Sequence, residues 1–216
     1  MSLGEYYANK AVYHKVSRGR LNGILVLAGN LASKKVLDIG CGAGEVGVEL
    51  KKRGATLVHG LDISPSAVEI AKEVLDGAAV FDLEKDNIWP NLVANNNYDL
   101  IILSEVLEHL FKPAEALKKI KQQFTSSLII TVPNVLFWKN RLKIFFGHFE
   151  YTDIGLMDRG HIHFFSWGSL QETVRESGYK ITASAHHLPT RGTKGLAKIW
   201  PGLFSYQFVV KLEPII

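Results

Sequence analysis

The stretch VLDIGCGAGEVGVEL, residues 36–50, confines this chain more tightly than any other part of its sequence. Val36 and Leu37 open it as a buried strand, and Gly40, Gly42 and Gly44 follow at alternate positions. Val46, Val48 and Leu50 are then among the apolar residues of a helix. Glycine loses more backbone entropy on folding than any other residue, so three so close together need a steric reason. Close approach of a ligand to the backbone at a helix N-terminus supplies one. A tight strand-to-helix turn without a ligand needs only a single glycine.

The chain around this loop has 216 residues, which is most simply one domain with a sizeable core. Hydrophobic residues make up 47% and charged residues 21%, the balance of a globular protein. MSLGEYYANK has no apolar h-region, and the longest uncharged run, QQFTSSLIITVPNVLFW, is too polar and too broken by Pro133 and Asn134 to cross a bilayer. One cysteine, Cys41, excludes an internal disulfide framework and suits a reducing cytoplasm, where the sequence places the chain. A net charge of +4 is too small to argue for nucleic acid. Peripheral contact with a membrane stays open, as does the oligomeric state.

Strands and helices alternate after a helical N-terminus spanning residues 4–30. Strands are expected at KVLDIG, TLVHGLDI, AAVFDL, YDLIILSEV, SLIITVPN, YKITASAHH and SYQFVVKLE. Helices are expected at EVGVELKKRG, SPSAVEIAKEVL, KPAEALKKIKQQF and GSLQETVRESG, the second with Ser64 as N-cap and Pro65 at its first position. This alternation predicts an α/β fold: a seven-stranded, Rossmann-like, mostly parallel sheet with helices on both faces and an antiparallel C-terminal edge. A loop through Pro189 and Gly195 joins the last two strands. The domain divides into a helical cap (1–30), a cofactor-binding core (34–132), an insertion (133–165) and a C-terminal helix with edge strands (166–216). The insertion, rich in aromatics and cations, is long enough to be a lid or substrate element.

Asp62 lies 22 residues beyond Gly40, at the end of the second strand, where an acid hydrogen-bonds a ribose diol. The competing role is a turn or helix-capping aspartate. A nicotinamide dinucleotide would call for G-x-G-x-x-G, but Glu45 occupies the third glycine position. A carboxylate there repels a pyrophosphate and tolerates a sulfonium or an ammonium.

VLDIGCGAG, GLDIS, VFDLEK and YDLIILSEVLEHL, in this order and at these intervals, resemble the class I S-adenosylmethionine-dependent methyltransferases, in particular the ubiquinone-biosynthesis and MetW-like small-molecule group. The resemblance covers residues 34–132 and extends more weakly through GHIHFFSWGSLQETVRESGY and WPGLFSYQFVV. It implies S-adenosylmethionine as cofactor. It implies that Asp38 and the loop of Gly40, Cys41, Gly42 and Gly44 line the methionine and ribose portion. Asp62 then takes the ribose hydroxyls, with Ile63 on the adenine and Ser64 adjoining. Asp82 accepts from the adenine amino group beside Leu83, and Ser104 and Glu105 flank the methionine end. Cys41 is a small loop residue, because methyl transfer from a sulfonium needs no protein nucleophile. Asp99 is structural.

The cofactor carries an activated methyl group, so the protein must position the acceptor and, for a hydroxyl, remove its proton. His161 and His163, two apart and so on one face of an extended segment, are the candidate bases. Their alternative is a structural pair. Glu105, Glu108 and His109 stand at i, i+3 and i+4 and could hold a divalent metal if helical. In the preferred alternative Glu105 faces the cofactor, Glu108 is solvated and activity is indifferent to chelators. Tyr6, Tyr7 and His14 join residues 134–160 in an expected lid, with the apolar side chains of VLFWKNRLKIFFGHF and Lys139, Arg141 and Lys143 reaching the acceptor. The function expected is O-methylation of a small, lipid-linked or sugar-linked acceptor. Behind it stand a metal-assisted RNA ribose 2′-O-methyltransferase, for which the net charge is small, and a non-catalytic cofactor-binding protein. A dehydrogenase is the weakest rival.

Overall fold

A computed structural model describes residues 16–153, 155–186 and 194–215. Tyr6, Tyr7, His14 and Pro189 lie outside them. The first half runs α1 (Arg18–Ala28), β1 (Lys35–Ile39), α2 (Glu45–Lys52), β2 (Leu57–Asp62), α3 (Pro65–Val74), β3 (Gly77–Val80), α4 (Asn91–Ala94) and β4 (Leu100–Ser104). A 3₁₀ turn, Leu107–His109, leads to α5 (Pro113–Gln123), β5 (Ser127–Pro133) and α6 (Trp138–Phe145). The chain ends with α7 (Trp167–Glu176), β6 (Tyr179–Ser184), α8 (Lys194–Ile199), α9 (Pro201–Phe204) and β7 (Gln207–Pro214).

The strands form one sheet in the order β3-β2-β1-β4-β5-β7-β6. All pairings among the first five are parallel, and β7 runs antiparallel to both β5 and β6. The antiparallel strand is therefore the penultimate one, with β6 outside it. The strands are apolar almost without interruption because both faces are covered. Successive side chains point to opposite faces, so Leu37, Ile39, Ile101, Leu103, Ile130 and Phe208 join one core, shared with α5 and α7. Val36, Leu100, Ile102, Ile129 and Val209 join the other, shared with α1, α2 and α3.

Local signals account for the element ends. Ser64 caps α3 by accepting from the Ala67 amide at 3.4 Å, with Pro65 at the first helical position. Asp99 is structural: its carboxylate accepts from the Lys35 amide and Lys34 Nζ, both at 2.9 Å, tying the starts of β1 and β4 together. Two of the stretches to which the sequence assigned no helix contain helices. The insertion holds α6, and the connection through Gly195 holds α8 and α9. Asn134 explains the second of these, since its side-chain amide donates to the carbonyls of Gly202 and Ser205 and fixes α9 against the end of β5.

Gly60, inside β2, sits directly beneath the glycine loop. A Cβ there would lie 2.7 Å from Cys41 Sγ and 2.8 Å from Leu75 Cδ1. Gly60→Ala is expected to destabilise the fold by about 1–3 kcal/mol through overpacking. Denaturant midpoints should show this loss, partly relieved when Cys41→Ala is added.

Candidate active site

The strand order reverses between β1 and β4, and at such a switch point the loops diverge and leave a crevice beyond the carboxyl ends of the strands. A cavity of about 620 Å³ opens there. Its walls come from the loops after all five parallel strands, from the start of β7, from the segment before α1 and from residues 155–161.

The three loop glycines share one cause: Gly40, Gly42 and Gly44 have φ of 76°, 53° and 87°, a region side chains disfavour. At Gly40 a Cβ would in addition collide with Val106. The amides of Gly40 and Cys41 both donate to the Leu61 carbonyl, at 2.7 and 3.0 Å, laying the loop across the end of β2. The Asp62 carboxylate completes the joint, accepting from the amides of Gly42 at 2.7 Å and Ser64 at 2.9 Å. Asp62 thus holds the turn and also lines the cavity. A carboxylate has about four acceptor positions, so the ribose role is compatible with the structural one.

Most of the cofactor residues expected from the sequence meet on this wall. Gly40, Cys41, Gly42, Asp62, Ile63, Ser64, Asp82, Leu83, Ser104 and Glu105 all face the cavity. Asp38 and Gly44 do not. Gly44 caps α2 and packs against Val74 and Leu75. Asp38 is 1% exposed behind the loop, with neither carboxylate oxygen hydrogen-bonded among the described residues. Burial, reinforced by the negative Asp62, pushes its carboxyl up to about 7. Burial also raises Asp62, against the amide hydrogen bonds that lower it. The Cys41 thiol is raised by burial, then by Asp38 and Asp62, so it stays protonated and serves as a packing group.

The acceptor end departs further from expectation. Glu105 is not on a helix with Glu108 and His109: its φ is +59°, and the 3₁₀ turn starts only at Leu107. Such a backbone in a non-glycine residue is strained and is found where the surroundings hold it. Here the Glu105 carboxylate accepts from Thr131 Oγ1 at 3.1 Å and Gln207 Nε2 at 2.8 Å and pairs with Arg20 at 3.2 Å. Glu108 is not solvated either. It is 0% exposed, both carboxylate oxygens lack hydrogen-bond partners among the described residues, and burial and then Glu105 hold its carboxyl well above the usual range.

His161 replaces Glu105 in the cluster. Ligating atoms of Glu108, His109 and His161 lie within 4.8 Å of one another, a separation that one divalent cation can bridge. His109 Nδ1 lies 2.9 Å from the Gly160 carbonyl and His161 Nδ1 3.4 Å from that of Leu156. A carbonyl beside each Nδ1 favours the tautomer with its proton there, the one that metal-binding histidines use. His163 turns away, its Nε2 3.2 Å from the Phe111 carbonyl. The pair fails to share a face because the amides of Ile162 and His163 both donate to the Glu108 carbonyl, which bends the segment.

Sequence reading missed Arg20, Thr131, Asp158 and the adjacent pair Tyr206 and Gln207, which come to or behind the cavity from four separate parts of the chain. It also missed the work of Glu45, whose carboxylate accepts from the Val16 amide at 2.8 Å and anchors the segment before α1 to the glycine loop. The insertion contributes Gly155, Leu156, Asp158 and His161 to the cavity, rather than the stretch from Val135 to Phe149 expected to do so.

A glycine loop, an acid after β2 and an acid after β3 around one cleft define an α/β domain that binds a nucleoside cofactor. A family model described as "Methyltransferase domain" matches residues 13–184, and the chain belongs to that family, with S-adenosylmethionine as cofactor. It is 33% identical over 108 residues to the "Ubiquinone biosynthesis O-methyltransferase" of Acinetobacter baylyi, and 34% over 107 to that of Vibrio parahaemolyticus. Each match covers 49% of this chain and 45% of the relative, so the aligned part is less than half of those proteins. In fold the chain is similar to magnesium protoporphyrin IX methyltransferase from Synechocystis, solved with bound SAH, with a TM-score of 0.67, 19% identity and 98% of each chain covered.

Two outcomes test this half of the cavity. Asp62→Ala is expected to weaken S-adenosylmethionine binding by about 1.5–3 kcal/mol in calorimetric titration. Unchanged affinity with an intact fold would remove Asp62 from the ribose. Asp38 binds its proton more tightly folded than unfolded, so its contribution to stability falls as pH rises from about 4 to about 7, by at most about 1.4 kcal/mol per unit. His186, lowered by burial from 6.5 to about 4, acts in the opposite sense over most of that window. The stability of the parent minus that of Asp38→Asn isolates the aspartate, and this difference should fall between pH 5 and pH 7.

Proposed function

We propose that this chain transfers the methyl group of S-adenosylmethionine to a hydroxyl oxygen of a small, lipid-linked or sugar-linked acceptor, and that Glu108, His109 and His161 lie beside that oxygen, where they would hold a divalent cation. The observation that carries the reading is the Glu108 carboxylate, buried without a partner among the described residues beside two imidazoles at the cavity wall. A buried polar group without a partner is costly, and a cation offsets that cost. The similar proteins named as O-methyltransferases support oxygen as the acceptor atom.

The reaction asks for in-line placement of the acceptor and for removal of its proton. Glu105 is braced by Arg20, Thr131 and Gln207 just beyond β4, so it presents a fixed wall between the methionine end and the acceptor. Glu108 and the two histidines provide oxygen and imidazole donors, the set a divalent ion accepts. A bound cation would supply Lewis acidity that eases deprotonation of the acceptor hydroxyl. The hydroxyl proton leaves to the Glu108 carboxylate, which keeps free lone pairs when it ligates, the oxygen gains the methyl group, and the cofactor departs as S-adenosylhomocysteine. An RNA ribose acceptor ranks behind this reading, since a net charge of +4 offers no broad basic surface.

Calorimetric titration with Mg²⁺ or Mn²⁺, in the presence of S-adenosylhomocysteine, is expected to show one site that Glu108→Gln weakens by about 10–100-fold or more. Once an acceptor is found, turnover should be lost to chelator, in place of the indifference expected from the sequence. His161→Phe should lower turnover by about 10²–10⁴-fold with cofactor affinity intact. If neither ion binds while His161→Phe still has that effect, His161 is the base without a metal.

A further inference from the structure

The turn after β3 carries Asp82 and Leu83 to the cavity, while residues 85–88 at its crest are exposed. Its shape is held from within and from behind. Within it, the Asp86 amide donates to the Asp82 carbonyl at 2.9 Å, and the Asp82 amide to the Asp86 carboxylate at 2.7 Å. From behind comes α5. The amide of Lys112, just before that helix, donates to the Glu84 carboxylate at 2.8 Å. About two turns further on, the Lys119 ammonium donates to the carbonyls of Leu83, at 2.9 Å, and of Asp86. The same nitrogen lies 5.1 Å from the centre of the Phe81 ring and 6.0 Å from that of Trp89, two rings stacked on each other at 4.6 Å. Two carbonyls and two ring faces thus fix one half-buried ammonium against the turn.

The Leu83–Glu84 peptide is consequently gripped at both ends. Its carbonyl accepts from Lys119, and its amide, that of Glu84, donates to Asp82 Oδ1 at 3.0 Å. The Lys85 amide reaches the same oxygen at 3.2 Å. Asp82 Oδ2 meets the Lys85 ammonium at 3.5 Å, an exposed pair of little strength. Asp82 therefore has one oxygen committed to the turn and one open to a donor in the cavity it lines. We propose that Lys119 is a positioning residue for cofactor recognition: acting through the Leu83–Glu84 peptide, it aims Asp82 Oδ2 at the exocyclic amino group of the adenine. Lys119 itself does not line the cavity. Without its ammonium the Leu83 carbonyl loses a charged donor, the peptide is free to rotate, and Asp82 Oδ1 loses the amide that orients it. Adenine, whose amino group donates, then loses its advantage over a base with a carbonyl at that position, which a carboxylate repels. The inference rests on S-adenosylmethionine as cofactor with Asp82 at its adenine, and not on the acceptor or a cation.

The test is calorimetric titration with S-adenosylhomocysteine and with S-inosylhomocysteine, which carries an oxygen in place of the amino group. The parent is expected to favour the adenine ligand by about 10–100-fold, and Asp82→Ala to abolish that preference. Lys119→Met keeps an apolar stem of similar length and removes both hydrogen bonds. It should weaken S-adenosylhomocysteine by about tenfold and leave the inosine ligand nearly unchanged, and in the Asp82→Ala background it should weaken neither further. Equal weakening of both ligands by Lys119→Met, as a loosened fold gives, overturns the proposal, and so does unchanged binding of both or a further loss in the Asp82→Ala background. A parent without preference, or a preference that survives Asp82→Ala, overturns it as well, since Asp82 then does not read the amino group. Should Lys119→Met fail to fold, Lys119→Gln, which keeps an amide donor on a shorter side chain, is read against the same outcomes. No acceptor or metal enters these titrations, so their failure leaves the methyl-transfer reading standing.

Discussion

One carboxylate, Asp62, joins the parts that everything else is arranged around. It receives the Gly42 amide from the loop after β1 and the Ser64 amide from the start of α3, so two βα turns are tied at the switch point. Three left-handed glycines let the loop lie flat enough to reach it. Cys41 then packs onto Gly60, and the helices α2 and α3 start from fixed positions at the cavity. The cost is electrostatic, because Asp38 is buried near the half-buried Asp62 and like charges resist joint ionisation. The two cationic centres of S-adenosylmethionine, ammonium and sulfonium, complement a site with that surplus of negative charge.

The two halves of the cavity are built differently. The half around the glycine loop is made of short loops, each following its own strand, so its geometry follows from local backbone conformation and one sheet. The opposite half is collected from distant places: Arg20 in α1, Glu105 and His109 after β4, Asp158 and His161 in the insertion and Gln207 at the start of β7, with Glu108 buried behind it. Glu105 is the hinge between them. Its left-handed backbone turns the chain out of β4, and its carboxylate is gripped from α1, β5 and β7. Strain at such a residue persists only where several elements enforce it.

The insertion after β5 also divides in two. Its later residues fold back so that Gly155, Leu156, Asp158 and His161 reach the cavity, whereas α6 keeps its aromatic side chains outside. Two backbone bonds to the Glu108 carbonyl hold the returning segment against the 3₁₀ turn. The same contact sets Glu108, His109 and His161 together.

The sequence by itself determined the sheet, the helices α2, α3, α5 and α7 and the glycine loop. Runs such as LIILS and SLIITVP, short and rich in Ile and Leu, read as strands covered on both faces, and Ser64 followed by Pro65 supplies an N-cap and a first helical residue. The three alternate glycines announce a backbone that side chains forbid. These features are local, depending on periodicity, capping and φ, and they survive in the structure. Only the tertiary structure decided that Asp38 lies behind the loop, that Glu105 leaves the Glu108–His109 turn, and that His161 enters it while His163 does not. It also decided that the aromatic half of the insertion faces outward. Spacing along the chain reports which residues share a face of a regular element. Residues 105–109 and 155–163 form no such element, and the direction of each side chain there is set by hydrogen bonds to backbone far away in sequence.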